Sequence, residues 1–437
     1  MLIEELYKIF LKNPSVQTDT RKLQPGDLFF ALKGPNFNGN KFAEKAIAAG
    51  ASYVVIDEKI TMDTGTEVAG KIIMVEDVLT TLQQLATHHR KQFSNLPAGS
   101  QVPFLAITGS NGKTTTKELI HSVLSTTYKT YTTEGNLNNH IGIPLTLLKI
   151  KPDAQIAVIE MGANHQKEIE SYCKIVLPTH GLITNCGKAH LEGFGSEEGV
   201  RKGKGELFDF LKNNNGQAFV MWDYDYLQKM SEGIAARIKY GTADAEVCGM
   251  AVENETLLTV KMNKGISASI KTQLVGNYNL PNVLAAVAVG KHFNVDEENI
   301  ISAIENYAPS NSRSQLLVKN SNTFILDAYN ANPSSMKLAI ENFAQTTAEN
   351  KVLALGAMAE LGKESIREHE EIIDLLKKYS WDFVLLVGGD FLKIDHPFHT
   401  FENSLQLKEW IKEKKIENTS FLVKGSRSIR MEKAIED

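Results

Sequence analysis

The chain has 437 residues, 42% hydrophobic and 23% charged, and a formal net charge of -5. That balance leaves little room for disorder or a fibrous repeat, and at about 100 to 200 residues per domain the length suits two to four domains, with three the central expectation. The mild acidity excludes the cationic face with which a nucleic-acid binder displaces counterions. The three cysteines, Cys173, Cys186 and Cys248, are too few and scattered for a disulfide framework or a zinc site, so a reducing, cytoplasmic compartment is expected and they read as small buried apolar residues.

No uninterrupted apolar run has the length of a membrane span, and no basic start with an apolar core opens the chain, so neither membrane insertion nor export is expected. Leu2, Ile3, Leu6, Ile9 and Phe10 recur at helical spacing. A helix docked on its own domain accounts for them better than a membrane-surface helix. Next, Asp27 to Lys33 and Ser52 to Ile56 read as strands around a helical stretch, Phe42 to Ala49, giving a small α/β domain.

Ser94 to Pro103, rich in Pro, Gly, Ser and Asn, reads as a linker. After it, short apolar runs alternate with turns and helices: Phe104 to Thr108, Ile156 to Ile159 and Gly181 to Thr184 are the clearest strands, which implies a mostly parallel sheet covered on both faces. A second joint lies at Ala308 to Ser314. Beyond it the strands Thr323 to Leu326, Lys351 to Leu355, Phe383 to Val387 and Ser420 to Val423 predict another, smaller α/β domain. The expected divisions are residues 1–98, 99–308 and 309–437.

The run Phe104-Leu105-Ala106-Ile107 leads directly into Thr108-Gly109-Ser110-Asn111-Gly112-Lys113-Thr114-Thr115, and Lys117 to Leu124 continues as a helix. A glycine loop between strand and helix aims backbone N–H groups and a helix N-terminus at phosphate oxygens. Lys113 would neutralise the terminal phosphates and Thr114 would offer its hydroxyl to Mg²⁺. Two residues separate Gly109 from Gly112 where the usual phosphate loop has four, and an ordinary glycine turn capping a helix is the bland alternative. In Ile156-Ala157-Val158-Ile159-Glu160 a carboxylate ends a buried strand at the sheet edge where nucleotides bind, so Glu160 is a candidate metal ligand. His190 follows the next strand by a few residues, although a lone histidine is more often structural. Lys204, in Arg201-Lys202-Gly203-Lys204-Gly205-Glu206, reads by itself as part of a solvated charged helix start.

Thr108 to Thr115, Asn138-Asn139-His140-Ile141-Gly142-Ile143-Pro144, Glu160-Met161-Gly162 and His190-Leu191-Glu192-Gly193-Phe194-Gly195 together resemble the Mur ligase family, which builds the peptide stem of the bacterial cell-wall precursor. Thr18-Asp19-Thr20-Arg21, Gly26 to Gly34, Asp327-Ala328-Tyr329-Asn330-Ala331-Asn332-Pro333 and Lys424-Gly425-Ser426-Arg427-Ser428 are similar to the subgroup that adds D-alanyl-D-alanine to UDP-N-acetylmuramoyl-tripeptide. The likeness spans essentially the whole chain. It implies three α/β domains: a small N-terminal UDP-binding domain, a central phosphate-loop ATPase domain with a parallel sheet, and a Rossmann-like C-terminal domain that closes over ATP.

The resemblance also implies roles. Gly109, Ser110, Asn111, Gly112, Lys113, Thr114, Thr115, Asn279, Asn282, Arg313 and Asp327 would bind ATP. Thr114, Glu160, His190 and Lys204, the last converted by CO₂ to an anionic carbamate, would hold two Mg²⁺ ions, and Lys113, Lys204, His190 and Arg313 would carry the catalysis. Carbamoylation makes sense of Lys204 because Mg²⁺ prefers hard oxygen donors. Thr20, Arg21, Lys33, Gly34, Asn138 and Asn139 match the UDP-substrate side, and Asn330, Asn332 and Arg427 the dipeptide side. Asp327 to Asn330 also reads as a strand-to-helix turn with capping side chains, and the Gly-Asp turn near Lys33 as a structural device. Ala357 stands where many relatives carry Asp, and Tyr278 replaces a frequent His, so neither receives a catalytic role.

The expected reaction is amide formation through an acyl phosphate by a monomer that uses small-molecule substrates. Open alternatives are a related ligase adding a diamino acid or extending folate with glutamate, a phosphate-loop switch or motor, and a non-catalytic nucleotide-binding scaffold.

Overall fold

In the computed structural model, residues 1–59, 70–97, 101–253, 255–310 and 312–436 are described. Residues 98–100 of the expected first linker and residue 311 of the second joint lie outside them. The chain divides into two compact units, one of Met1–Ala106, Lys129–Gly162 and Glu168–His180, the other of Ile107–Tyr128, Ala163–Lys167 and Gly181–Asp437.

In the first unit the helix Ile3–Lys12 buries Leu6 and Phe10, two positions of its apolar stripe. The Tyr7 hydroxyl lies 3.0 Å from His89 Nδ1 on the helix Val78–Gln92, so the N-terminal helix docks on its own unit as its periodicity predicts. Four short parallel strands follow in the order Val16–Gln17, Leu28–Phe30, Tyr53–Ile56 and Ile72–Met74. Helix Ala43–Ala48 covers them through a core that includes Phe29, Ala31, Ala43, Ala46, Val54 and Ile56. The strand expected over Asp27 to Lys33 is broken in two. Leu32 N–H turns back onto the Phe30 carbonyl at 2.9 Å, and Lys33–Gly34 then forms a separate hairpin with Phe37–Asn38.

The buried Arg90 guanidinium ties Val78–Gln92 to the rest of this unit. It donates to the Val176 and Leu177 carbonyls at 2.7 and 2.8 Å and lies 3.6 Å over the Phe104 ring. Strand Ile156–Glu160, buried at all five positions, runs parallel to Thr130–Thr132.

In the second unit the sheet order is Ser269–Val275, Leu257–Lys264, Val247–Ala251, Ala236–Gly241, Gln217–Met221 and residues 181–183 of the strand His180–Ile183. The interior pairs are parallel. At the edge, Val247–Ala251, Leu257–Lys264 and Ser269–Val275 pair antiparallel, an addition to the mostly parallel sheet that the strand pattern implies. The burial pattern gives the reason. Gln217–Met221 is buried over four consecutive residues, as a strand covered on both faces must be, whereas Leu257–Lys264 and Ser269–Val275 alternate buried and exposed side chains.

The C-terminal part of this unit is a six-stranded sheet ordered Gln315–Lys319, Asn322–Asp327, Ser420–Lys424, Lys351–Gly356, Phe383–Val387 and His399–Phe401, parallel except for its first pair. Alternating residues feed two cores. Leu353 and Leu355 pack with Met336, Ile340 and Phe343 of the helix Pro333–Ala344, while Val352 and Ala354 pack with Phe421, Val423 and Leu407 of the helix Ser404–Lys414. Helices on both faces of a mostly parallel sheet make this the smaller α/β layer that the strand pattern predicts, with the Rossmann-like form that the resemblance implies. Among the described residues no helix is long and apolar enough to cross a membrane.

Candidate active site

The phosphate loop has the architecture its sequence predicts. Strand Phe104–Thr108 is wholly buried, and the next helix, Lys113–Leu124, begins a turn earlier than expected with Gly112 at its N-cap. Gly109 and Gly112 have φ of +142° and +78°. A side chain at Gly109 would collide with Thr184 Oγ1, and a Cβ at Gly112 would come within 2.6 Å of Asn282 Oδ1, so both conformation and space require glycine. Gly112 offers no capping side chain, and the first-turn amides of a helix capped in this way suit an anion.

Neighbouring backbone and side chains fasten the loop. Ser110 N–H donates to the Asn185 carbonyl at 2.9 Å, and Ser110 Oγ to the Gly187 carbonyl at 2.9 Å. Thr184 Oγ1 donates to the Asn111 carbonyl at 2.6 Å. Lys113 Nζ folds back over the loop onto the Gly109 and Ser110 carbonyls at 2.7 and 3.2 Å. Thr114 is buried at the first turn and Thr115 half-buried. Asn279 and Asn282, expected on the adenine side, are both buried and brace this helix. Asn282 Oδ1 accepts from Thr116 Oγ1 at 2.9 Å, its amide donates to Asn279 Oδ1 at 2.8 Å, and the Asn279 amide donates to the Val275 carbonyl at 2.8 Å.

His190 caps the short helix Leu191–Phe194 with φ +51°, and its Nδ1 lies 2.6 Å from Glu360 Oε2. The imidazole holds the Glu360 carboxyl below its ordinary range. Lys204 is 0% exposed, which overturns the reading of a solvated lysine. Its Nζ donates to the Ala163 carbonyl at 2.8 Å and lies 5.0 Å from the Phe194 ring centroid. The helix Glu197–Asn213 buries Val200, Lys204, Leu207, Phe208 and Leu211 on one face. That spacing was available in the sequence, and it places Lys204 in the middle of an apolar stripe.

The C-terminal loops of the same unit meet this arrangement. Asn332 caps the helix Pro333–Ala344 by accepting from Ser335 N–H at 2.9 Å, and its amide donates to Asn111 Oδ1 of the phosphate loop at 2.8 Å. Cap and contact with the nucleotide loop therefore coexist. The Asn330 side chain accepts from Ala331 N–H at 2.9 Å, a local turn. The Arg313 guanidinium carbon lies 3.7 Å from the Tyr329 ring centroid and that of Arg427 5.7 Å from the same ring, a shared cation–π platform that the sequence reading missed. Arg427 also pairs with Glu432 at 3.3 Å. Asp327 accepts from Ser314 N–H at 3.2 Å and forms an ion pair with the buried Lys424. Lys188, also missed, donates its N–H to Ser334 Oγ at 2.8 Å and reaches Glu368 at 2.7 Å and Glu371 at 3.3 Å with its ammonium.

In the first unit Glu160 ends its strand at 2% exposure, and its Oε1 accepts from the Asn138 amide at 2.8 Å. Asn139 Oδ1, just before the helix Gly142–Leu148, accepts from Ile141 and Gly142 N–H at 3.1 and 2.9 Å. Arg21 pairs with Asp19 at 2.7 Å with its side chain 84% exposed, and its hydrogen bonds hold the Asp19 carboxyl at about 2. Lys33 lies 3.2 and 3.3 Å from Asp57 and Glu58. Gly34 pairs with Phe37 in the hairpin, and Thr20 is half-buried.

Among the described residues no group of three or more His, Cys, Asp or Glu could hold a metal ion. The Thr114 hydroxyl and the Glu160 carboxylate are each hard oxygen donors of the kind Mg²⁺ prefers.

A strand, glycine loop and helix that cradle phosphate, with a Rossmann-like layer whose loops reach that cradle, define a nucleotide-using α/β enzyme. The chain belongs to the Mur ligase family: residues 14–90 match the model of the Mur ligase family catalytic domain, 107–290 the Mur ligase middle domain, and 312–427 the Mur ligase glutamate ligase domain. It is 34% identical to the UDP-N-acetylmuramoyl-tripeptide–D-alanyl-D-alanine ligase of Bacillus subtilis (strain 168), across 100% of this chain and 97% of that protein. Identity is again 34% to the enzyme of that name from Escherichia coli (strain K12), covering 96% of this chain and 92% of that one. Among solved structures, MurF from Acinetobacter baumannii aligns with a TM-score of 0.85 at 30% identity, covering 96% of this chain and 92% of that one. MurF ligase from Thermotoga maritima in complex with ADP aligns with a TM-score of 0.83 at 25% identity, covering 97% of each.

Proposed function

We infer that this chain is an ATP-dependent ligase that joins D-alanyl-D-alanine to UDP-N-acetylmuramoyl-tripeptide, completing the pentapeptide of the peptidoglycan precursor. The hydrogen bond from Asn332 to Asn111 carries the reading, because it brings the segment matched to the dipeptide side against the phosphate loop. Transfer from a phosphorylated carboxylate to an amine needs those two regions together.

A carboxylate is a poor acyl electrophile because its leaving group would be oxide. In the proposed reaction the tripeptide carboxylate attacks the γ-phosphate of ATP, forming an acyl phosphate and ADP. Amides of residues 109–115, Lys113 and Arg313 offset the charge that spreads over the transferring phosphoryl oxygens. The dipeptide amine then attacks the acyl carbon, loses a proton, and orthophosphate leaves as the amide forms. Seating of the C-terminal loops on the phosphate loop excludes water from the intermediate.

Thr114, Glu160, His190 and the carbamate of Lys204 would hold two Mg²⁺ ions, which neutralise phosphate charge when bound. Carbamoylation joins the neutral Lys204 amine to CO₂ with loss of one proton, and replaces a buried cation by an oxygen anion. Asp327 would meet the ribose, and Asn279 and Asn282 the adenine side of the loop that they brace. Thr20, Arg21, Lys33, Gly34, Asn138 and Asn139 would bind the UDP-substrate, with Arg21 and Lys33 exchanging their carboxylate partners for phosphate. Asn330, Asn332 and Arg427 would face the dipeptide. We assign residues 1–98, 99–308 and 309–437 to the three domains, and a monomer in the cytoplasm.

Supplied with the tripeptide nucleotide, D-alanyl-D-alanine, ATP and Mg²⁺, the protein is expected to release one phosphate per amide formed. Equal phosphate release without the dipeptide would contradict the ligase reading in favour of a simple ATPase.

A further inference from the structure

Tyr278 stands in the single 3₁₀ turn Asn277–Asn279, directly before Asn279, the residue matched to the adenine side. Gly276, at φ +91°, makes room for it, because a Cβ there would collide with the Tyr278 ring. From that packed position the Tyr278 hydroxyl lies 3.0 Å from Oγ of the buried Ser314, at the start of the C-terminal segment of the same compact unit.

Ser314 in turn holds Asp327. Its N–H donates to Asp327 Oδ1 at 3.2 Å, while the other carboxylate oxygen pairs with the buried Lys424 ammonium. One donor on each oxygen fixes the plane of the carboxylate and leaves lone pairs on both for a further partner. Ser312 and Ser314 have left-handed backbones, φ +56° and +49°, which non-glycine residues keep only where their surroundings enforce them. The enforcement is visible: the Ser312 carbonyl accepts from Tyr329 N–H at 3.2 Å, and Ser314 is held by Asp327 on one side and Tyr278 on the other.

We propose that Tyr278 is a positioning residue for nucleotide binding: its hydroxyl holds Ser314, and through Ser314 the Asp327 carboxylate, at a fixed place relative to Asn279, so that base and ribose are gripped in register. The proposal rests on the reading of Asp327 as the ribose partner. It gives a task to a side chain that the resemblance left without one. The ring and the hydroxyl are separable, since Tyr278→Phe keeps the packing on Gly276 and removes only the tie to Ser314.

Calorimetric titration of the full chain with ADP and with 2′,3′-dideoxy-ADP reads the grip on the ribose as a ratio of Kd values. The wild-type chain is expected to favour ADP about 10- to 100-fold, the scale of hydrogen bonds to a charged group, and Asp327→Ala to abolish that preference. Tyr278→Phe is expected to reduce the preference about 3- to 10-fold, with the Kd of the dideoxy nucleotide close to wild type. Ser314→Ala removes the same hydrogen bond from its other end, so it should match Tyr278→Phe, and the double variant should fall no further than either. A wild-type ratio in Tyr278→Phe, equal weakening of both nucleotides, or a double variant that loses the product of the single effects overturns the positioning role, while the ribose reading stands on Asp327→Ala. A wild-type ratio in Asp327→Ala overturns the ribose reading, and the proposal with it.

Discussion

The phosphate loop and the front segment around Arg21 and Lys33 hold their cations in opposite ways. Lys113 rests on two carbonyls of its own loop, and Arg313 lies on the Tyr329 ring. Arg21 and Lys33 lie at the surface on carboxylates, Asp19 in one case and Asp57 with Glu58 in the other. Half-buried, glycine-bounded geometry presents a charge in one place, whereas an exposed ion pair contributes about 0–1 kcal/mol and is exchanged easily for another anion. The first arrangement suits transition-state stabilisation. The second suits reversible binding of a phosphorylated substrate.

Substitutions can break this contrast, and the largest effect should come from the loop. Lys113→Ala is expected to lower kcat about 10²- to 10³-fold, measured as phosphate release with saturating substrates. Lys204→Ala should lose activity on a similar scale and recover part of it with added short carboxylic acids that replace the carbamate oxygens. Full activity of Lys204→Ala without such acids would remove the carbamate from the account.

A smaller effect tests the cation–π platform. Tyr329→Ala is expected to weaken ATP use about 3- to 30-fold in kcat/KM, while Tyr329→Phe keeps the ring face and stays near wild type. At the front segment, Arg21→Ala and Lys33→Ala should raise KM for the UDP-substrate a few-fold, more at low salt, with kcat nearly unchanged, the pattern of binding shared equally by ground and transition states. A fall in kcat from either would show that the two regions act alike.

The smallest predicted effect concerns His369, whose Nε2 accepts from Met358 N–H at 3.0 Å, two residues before Glu360. Burial pushes the His369 imidazole below its ordinary value of 6.5, opposed by the Ser365 carbonyl and by Asp390 and Glu368. The folded state therefore favours the neutral ring. His369 costs no stability above about pH 6.5, and stability falls as the pH drops below that value because the unfolded chain takes up the proton first. Denaturant midpoints measured from pH 7.5 down to 5 should show this decline, and His369→Gln should flatten part of it.

How much of this was legible in the sequence depended on the range of the forces involved. The strand, glycine loop and helix around Lys113 were readable because local backbone conformation and one buried apolar run determine them. The C-terminal strands were readable for the same reason, and Phe383–Val387 has the bounds that its apolar run predicts. Lys204 was legible in principle from the stripe Val200, Lys204, Leu207 and Leu211, but its charge hid it. The antiparallel edge was overlooked, although Leu257–Lys264 and Ser269–Val275 carry the alternation of strands with one wet face. Glu360 and Lys188 could not be found in this way. Their charged partners lie 170 to 183 residues away in sequence, and no periodicity records such a pairing.

The central claim is that cleavage of ATP is captured as a mixed anhydride of the tripeptide carboxylate. Its most direct test labels that carboxylate with oxygen-18 and follows the label by mass spectrometry during turnover with D-alanyl-D-alanine. The account predicts one labelled oxygen in each orthophosphate released, with the other kept in the new amide. Orthophosphate that forms at the rate of the amide yet carries no label would contradict it.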